Sequence, residues 1–458
     1  MTPTELQKNK TENSIKHWLD FARKAIGKKG SDQFEIYLED RRGFHVDVKN
    51  QEVDSFIRSQ DQGIHFRILK NKKLGHSFST TLSESAILEA IDSAFSIMKV
   101  LPEDEHHQLF EFDQVVYPEV NQWNQAGLAM PVESKIKLAL DLEKACKDTD
   151  KRIVALRSAS FKENQIQVWL SDSHGNEIQH QATRFSMSAL CKSQQDQETQ
   201  TGFDFQFAWD LSEIDPLVIG KSAASDALEL LGAVIPKSMK CPVIIPPRVM
   251  ADLIDFIAPS MNAEAIDKKK SMLIGKLHQK VFSDQMTLID DGLYPNGLGT
   301  TPFDGEGVPK KKLVLFDQGE FVETYRDLYY ASKNKAPSTA STHRSIQSKP
   351  SVSPSNLYLK PGKKDQEALI CSIDRGVLVT HLMGLHTANP ITGQFSLGAN
   401  GRLIEKGKLS TPLREFAVAG SMFDLFSRID EVGSDLRFFG TTGAPSVLVS
   451  ELSIGGKD

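Results

Sequence analysis

Between Ile15 and Ile26 apolar side chains recur at the spacing of one helical face, and from Phe34 onward they recur at every second residue. Ile15, Trp18, Leu19, Ala22 and Ile26 predict a helix over 11–27 that packs on a sheet. Phe34, Ile36 and Leu38, then Phe44, Val46 and Val48, then Ile64, Phe66 and Ile68 alternate with polar residues, as in strands with one wet face. A second helix follows, with Thr81 and Glu84 spaced as a capping box ahead of Ala86, Ile87, Ala90, Ile91 and Ala94. Residues 102–131 are acidic, aromatic and irregular, and read as a connection. The change of period then recurs. A helix over 132–149 leads into strand-like runs at 153–161, 166–170, 178–180, 185–190 and 203–207, with Ser173-His174-Gly175-Asn176 as a tight turn. Helix followed by meander occurs twice, which raises the expectation of an internal duplication on pattern alone.

A helix over 222–231 stops at Gly232, ahead of Pro236, and places a boundary. Beyond it come a strand, Val243-Ile244-Ile245, and a helix with Val249, Met250, Leu253, Ile254 and Ile257 on one side. The remainder reads as mainly β. Residues 313–316 turn through Asp317-Gln318-Gly319 into 321–325; strands are expected over 368–373 and 377–382, a hairpin at Asn400-Gly401, and one helix over 421–432. Residues 332–355 hold eight serines, two threonines and three prolines, with Ile346 and Val352 as the only large apolar residues. Such a stretch does not offset its ordering entropy by burial, so a mobile loop, and within a compact domain a lid, is expected. The fold class is α+β: N-terminal helix-plus-antiparallel-meander modules, then a mainly β C-terminal domain with a few helices. The expected domains are 1–115, 116–235 and 236–458.

With 458 residues, 40% hydrophobic and 25% charged, the chain buries a sizeable core, which excludes disordered and fibrous classes. A net charge of -6 provides no polycationic field and argues against nucleic acid. No run has the length of a membrane span, and the N-terminus lacks the apolar centre of a secretion signal, so a cytoplasmic protein is expected. Cys146, Cys191, Cys241 and Cys371 form no CxxC pair and read as reduced thiols, mostly in the core.

Catalytic motifs are sparse. HExxH places two imidazoles on one helix face beside a glutamate that activates metal-bound water, yet no two histidines here are four apart. His381 and His386 are five apart with leucine in place of the base, and read as structural. Gly220-Lys221-Ser222 has Asp215 where a Walker A loop needs glycine, and Gly297-Leu298-Gly299 meets Pro302 where GxGxxG needs glycine. Both read as turns. No GxSxG surrounds a serine. Asp252 and Asp255 lie three apart on the helix after Val243-Ile244-Ile245, an ordinary arrangement on a solvated face.

Four ordered segments carry a resemblance: residues 299–308 (GTTPFDGEGV), 355–362 (SNLYLKPG), 376–380 (GVLVT) and 389–396 (NPITGQFS). Together they resemble the TldD/PmbA family over residue 31 to the C-terminus, and more closely its PmbA branch, also called TldE. The resemblance implies a cytosolic metallopeptidase system in which TldD-like and TldE-like subunits enclose a chamber and cleave unfolded peptides. The TldD branch carries an HExxxH-type motif on the helix corresponding to residues 249–261 here, plus a C-terminal cysteine ligand. Residues 249–261 contain no histidine and residues 431–445 no cysteine. No catalytic or metal residue is therefore expected in this chain, and zinc is expected only in a TldD-like partner. The loop 332–355 also departs from the glycine-rich loop common in the family.

The first functional expectation is a non-catalytic subunit that pairs with a TldD-like paralogue and lends strand edges and apolar surface to an unfolded peptide. The peptide-lining candidates are Gly299, Thr300, Thr301, Phe303, Asn389, Thr392 and Gly393, whose residue types also suit plain turn chemistry. The alternatives are a homodimeric peptide-binding or scaffold protein without protease activity, and a metallopeptidase using unconventional ligands such as His381, His386 and an acidic residue.

Overall fold

A computed structural model of the chain describes residues 3–457. The N-terminal half repeats one order of elements, helix, three strands, helix. The first copy is α1 (Pro3–Lys29), β1 (Gln33–Lys49), β2 (Glu52–Lys70), β3 (Lys73–Ser79) and α2 (Glu84–Val100). After a short helix, α3 (Gln125–Ala129), the second copy is α4 (Val132–Thr149), β4 (Ile153–Asp172), β5 (Glu177–Gln195), β6 (Glu198–Ala208) and α5 (Pro216–Glu229). The copies join through the antiparallel pair β1–β4 into one six-stranded sheet of order β3-β2-β1-β4-β5-β6. Both use glycine at the same place: a Cβ on Gly75 of β3 would lie 2.2 Å from the Ala94 carbonyl of α2, and one on Gly202 of β6 would lie 2.2 Å from the Ala223 carbonyl of α5. Only a residue without a side chain lets strand and helix approach so closely.

Several expectations are corrected here. The first helix extends beyond both ends of 11–27. Pairs of short expected strands prove to be single strands of 17 to 20 residues, because the polar centres of β1, β4 and β5 interrupt the apolar alternation without breaking the ladder. α2 is capped by Ser83, whose hydroxyl accepts from the Ala86 N–H at 3.3 Å, not by Thr81. The helix expected at 222–231 begins at Pro216, where Asp215 caps it, so Gly220-Lys221-Ser222 is helical and not a turn. α4 spans the expected 132–149.

The C-terminal part contains β7 (Met239–Ile245), α6 (Pro247–Ile257), α7 (Ala263–Asp267), β8 (Leu288–Asp291), β9 (Lys312–Asp317), β10 (Glu320–Phe321), α8 (Leu328–Asn334), β11 (Thr342–Ser345), β12 (Ser348–Val352) and β13 (Leu357–Leu359). It continues with α9 (Gln366–Cys371), β14 (Arg375–Met383), β15 (Gln394–Glu405), β16 (Lys408–Ser421), α10 (Met422–Ser427), β17 (Ile429–Val432), β18 (Arg437–Phe439), β19 (Thr442–Ala444) and β20 (Val447–Gly455). One sheet has the order β16-β15-β14-β7-β20-β17 and is closed by a further β16–β20 pairing; the other runs β10-β9-β8-β13-β19-β18. α6 is buried with both in one core that includes Met250, Leu253, Ile254, Leu315, Phe316 and Val449.

The apolar run at 368–373 is a helix, not a strand: Asp365 caps it by accepting from the Ala368 N–H at 2.8 Å, and Leu369 and Ile370 pack on Ile244 and Leu378. The hairpin expected at Asn400-Gly401 turns instead at Lys406-Gly407, both at positive φ, while Gly401 stays within β15, close against the Leu378 carbonyl. The helix expected over 421–432 ends at Ser427 and gives way to β17.

The serine-rich segment is not a mobile loop. Its centre is the hairpin β11–β12, with Thr339, Ser341, Thr342 and Ser355 buried, and it reaches across to the N-terminal sheet. There Ile346 joins Tyr37, Phe112, Leu170 and Phe303 in one apolar cluster. Among the described residues, no helix is long and apolar enough to cross a membrane.

Candidate functional site

β6 ends the N-terminal sheet and lies against the C-terminal part. Phe203, Phe205 and Phe207 alternate along one face of this strand, with ring centroids 5.5 and 5.2 Å apart, and Phe439 lies 6.2 Å from Phe205. The Phe203 N–H donates to Asp226 at 3.0 Å and its carbonyl accepts from Arg248 Nη1 at 2.9 Å. Main-chain groups of successive residues point to opposite edges of an antiparallel strand, so those of Phe205 and Phe207 lie along the open side of β6. An edge of this kind accepts an extended peptide through backbone hydrogen bonds and pockets for alternate side chains.

Arg248, in the first turn of α6, spreads its guanidinium over Phe203 and Phe205 at 5.3 and 5.1 Å. Asp252 and Asp255 follow at i+4 and i+7 on the same exposed face. Partial desolvation raises both carboxyls above the ordinary aspartate value; Arg248 opposes this at Asp252, and a hydrogen bond from the Thr442 hydroxyl opposes it at Asp255. The apolar face of α6 is fixed in the core, so this row of side chains stands on a rigid support.

That row does not fit zinc. A catalytic zinc needs three nitrogen, sulfur or oxygen ligands beside an open position, and here only two carboxylates are present, sharing their face with a guanidinium whose charge repels a cation. Among the described residues, no three His, Cys, Asp or Glu side chains are grouped to hold a metal ion. His381 is paired with Asp226 at 3.0 Å, and His386 is exposed on a one-turn helix after β14. The two imidazoles form no ligand pair with a shared carboxylate.

The sequence-predicted peptide-lining residues fall into two groups. Gly299 and Thr300 belong to an internal network: Asn356 Oδ1 accepts from the Gly299 N–H at 2.9 Å and its Nδ2 donates to Thr300 Oγ1 at 3.0 Å. A Cβ on Gly299 would lie 1.9 Å from the Ser355 carbonyl. Thr301 donates to the Phe303 carbonyl at 2.7 Å, and the Phe303 ring is buried against Tyr117 and His180. Asn389, Thr392 and Gly393 form a turn in which Asn389 and Thr392 are exposed and Gly393 is buried; Asn389 Oδ1 accepts from the N–H groups of Ile391 at 2.9 Å and Thr392 at 3.1 Å. Beside it, the Pro390 carbonyl accepts from Ser260, just beyond α6, at 3.5 Å.

Sequence reading missed Arg248 and the role of the phenylalanines. Their alternation marks a strand, but whether a strand is an edge depends on which partners it lacks.

Three family profiles match the chain: PmbA/TldA metallopeptidase domain 1 over residues 34–97, the central domain over 126–231 and the C-terminal domain over 238–456. The chain is similar to the metalloprotease PmbA of Escherichia coli O157:H7, with 25% identity across 100% of this chain and 98% of that protein. It is also similar to a metalloprotease PmbA homologue of Buchnera aphidicola, with 25% identity across 92% and 93%. Among solved structures, TldE from Thermococcus kodakarensis superposes with a TM-score of 0.87 at 25% identity, covering 97% of this chain and 100% of that one. A candidate DNA-gyrase modulator from Thermotoga maritima gives 0.89 at 27% identity, covering 96% and 100%.

Proposed function

Because the chain belongs to the TldD/PmbA metallopeptidase-related family, we propose that it is the non-catalytic, PmbA/TldE-like subunit of a cytosolic peptide-cleaving assembly. In this reading it holds an unfolded peptide while a TldD-like paralogue supplies the zinc. The observation that carries the reading is the exposed face of α6, which presents Arg248, Asp252 and Asp255 and no histidine, beside the open edge of β6. The name metalloprotease borne by the Escherichia coli and Buchnera proteins describes those proteins.

The peptide lies along β6, with backbone groups bonded to the Phe205 and Phe207 edge and side chains against the phenylalanine row. The Asn389–Gly393 turn flanks the same surface. Gly299, Thr300, Thr301 and Phe303 act at one remove, by fixing the C-terminal part against the N-terminal sheet. Mixing the purified chain with the HExxxH-bearing paralogue and measuring molar mass tests the pairing. A mixed species at nanomolar to micromolar concentration is expected; two separate homomeric species at all ratios would favour the scaffold alternative.

A further inference from the structure

On the helix-covered face of the N-terminal sheet, apolar residues lie under α1 and α2 at one end and under α4 and α5 at the other. Between them the floor becomes polar. Register alignment places Gln62, Asp40, Gln167 and Gln181 in one row across four strands, and Gln60, Arg42, Gln165 and Thr183 in the next. The connection before α4 arches over this floor and leaves a cleft of about 880 Å³ walled by Tyr117, Gln122 and Trp123, with Trp169 at its apolar margin. That volume is in the range of small-molecule sites.

We propose that this cleft binds a neutral, hydroxyl-rich ligand, a short oligosaccharide, at a site separate from the peptide surface on β6. Four observations select this chemistry. First, Asp40, only 2% exposed, is neutralised by Arg42 at 3.2 Å and held by Gln62 at 3.0 Å, so the floor carries no net charge to recruit an ion. Second, β1 and β4 at the middle of the floor are paired on both sides through these rows, so Asp40, Arg42, Gln165 and Gln167 offer a ligand their side chains and no strand edge. Third, each glutamine amide offers both donors and acceptors, the combination that hydroxyl groups need. Gln167 and Gln181 contact each other only at 3.5 Å, leaving most of that capacity to the cleft.

The fourth observation is a buried acceptor without a partner. Gln122 is 2% exposed and donates to the Gly297 carbonyl, while its Oε1 has no partner. An unpaired buried polar atom costs about 1–3 kcal/mol, and a ligand hydroxyl would remove that cost. The rings of Trp123 and Tyr117 supply flat apolar faces for the C–H side of a sugar ring.

The test is saturation-transfer NMR and calorimetry on the intact chain with maltotriose, cellotriose and chitotriose, with triglycine as the peptide control. Binding of at least one trisaccharide, with a dissociation constant below about 5 mM, is expected. Gln167→Leu and Trp123→Ala should each weaken it at least tenfold, with unfolding midpoints and peptide handling unchanged. The proposal is overturned if no trisaccharide shows saturation transfer at 10 mM or if the variants leave binding intact. It also fails if triglycine binds the cleft and the sugars do not. Failure here leaves the β6 reading standing, because the middle of the floor, Asp40, Arg42, Gln165 and Gln167, belongs to β1 and β4, separated from β6 by β5.

Discussion

Glu35 of β1 and Arg344 of the β11–β12 hairpin form an ion pair in which both side chains are almost completely buried, 0% and 1% exposed. Arg67 adds a second cation to Glu35 at 3.3 Å and reaches Glu306 at 2.9 Å, so a chain of charges links the N-terminal sheet to the C-terminal part. Breaking such a pair leaves an uncompensated buried carboxylate. Arg344→Met should cost about 3 kcal/mol, read as a lowered urea midpoint, whereas Lys137→Met, at an exposed pair, should cost less than about 0.5 kcal/mol.

Acid should weaken the same junction. His65 is fully buried, and burial, followed by the charge of Arg344, lowers its imidazole from 6.5 to about 2; burial and Lys310 lower His343 to about 3. Folded values below the unfolded value give stability that is complete above about pH 6.5 and lost as pH falls toward 3. Urea midpoints at pH 7, 5.5 and 4 should therefore decline. His65→Leu should show a shallower decline than the parent chain.

Close strand–helix approach makes Gly202 sensitive to size. Besides the Ala223 carbonyl, a Cβ there would meet the Ala227 nitrogen at 2.2 Å, and backbone does not swing aside as a flexible side chain does. Gly202→Val should destabilise by about 3 kcal/mol, with Gly75→Val similar for the first copy. Gly232→Ala, in open space but at φ +74, should cost about 1 kcal/mol. Thermal midpoints of the three variants would rank them.

Much of this architecture was legible because local pattern and final structure agree. α4 begins and ends where its periodicity does, and the change of period marks both N-terminal copies. What escaped was set by distant partners. Arg344 and Ile346 are ordered by Glu35 and Tyr37, some three hundred positions earlier, which no composition rule for 332–355 contains. Asn400-Gly401 has the residues of a hairpin turn, yet its place in β15 is fixed by pairing with β14 and β16. The polar rows of the cleft emerge only once β1, β2, β4 and β5 are aligned.

The β6 edge predicts a binding defect without a folding defect. Phe207 is 50% exposed, so Phe207→Ala should leave stability within about 0.5 kcal/mol. In the mixed assembly it should raise KM for an unfolded peptide about fivefold, as expected for a lost apolar contact of about 1 kcal/mol. An unchanged KM would move the peptide away from this strand.

The most direct test combines metal content with activity. The chain alone, dialysed against micromolar zinc, should hold no stoichiometric metal and leave an unfolded peptide intact, and activity should appear only on adding the HExxxH-bearing paralogue. Replacing that paralogue's motif glutamate should abolish the activity, while Asp252→Asn and Asp255→Asn together in this chain should preserve zinc content. One tightly bound zinc per chain, with peptide cleavage by this polypeptide in isolation, would contradict the account.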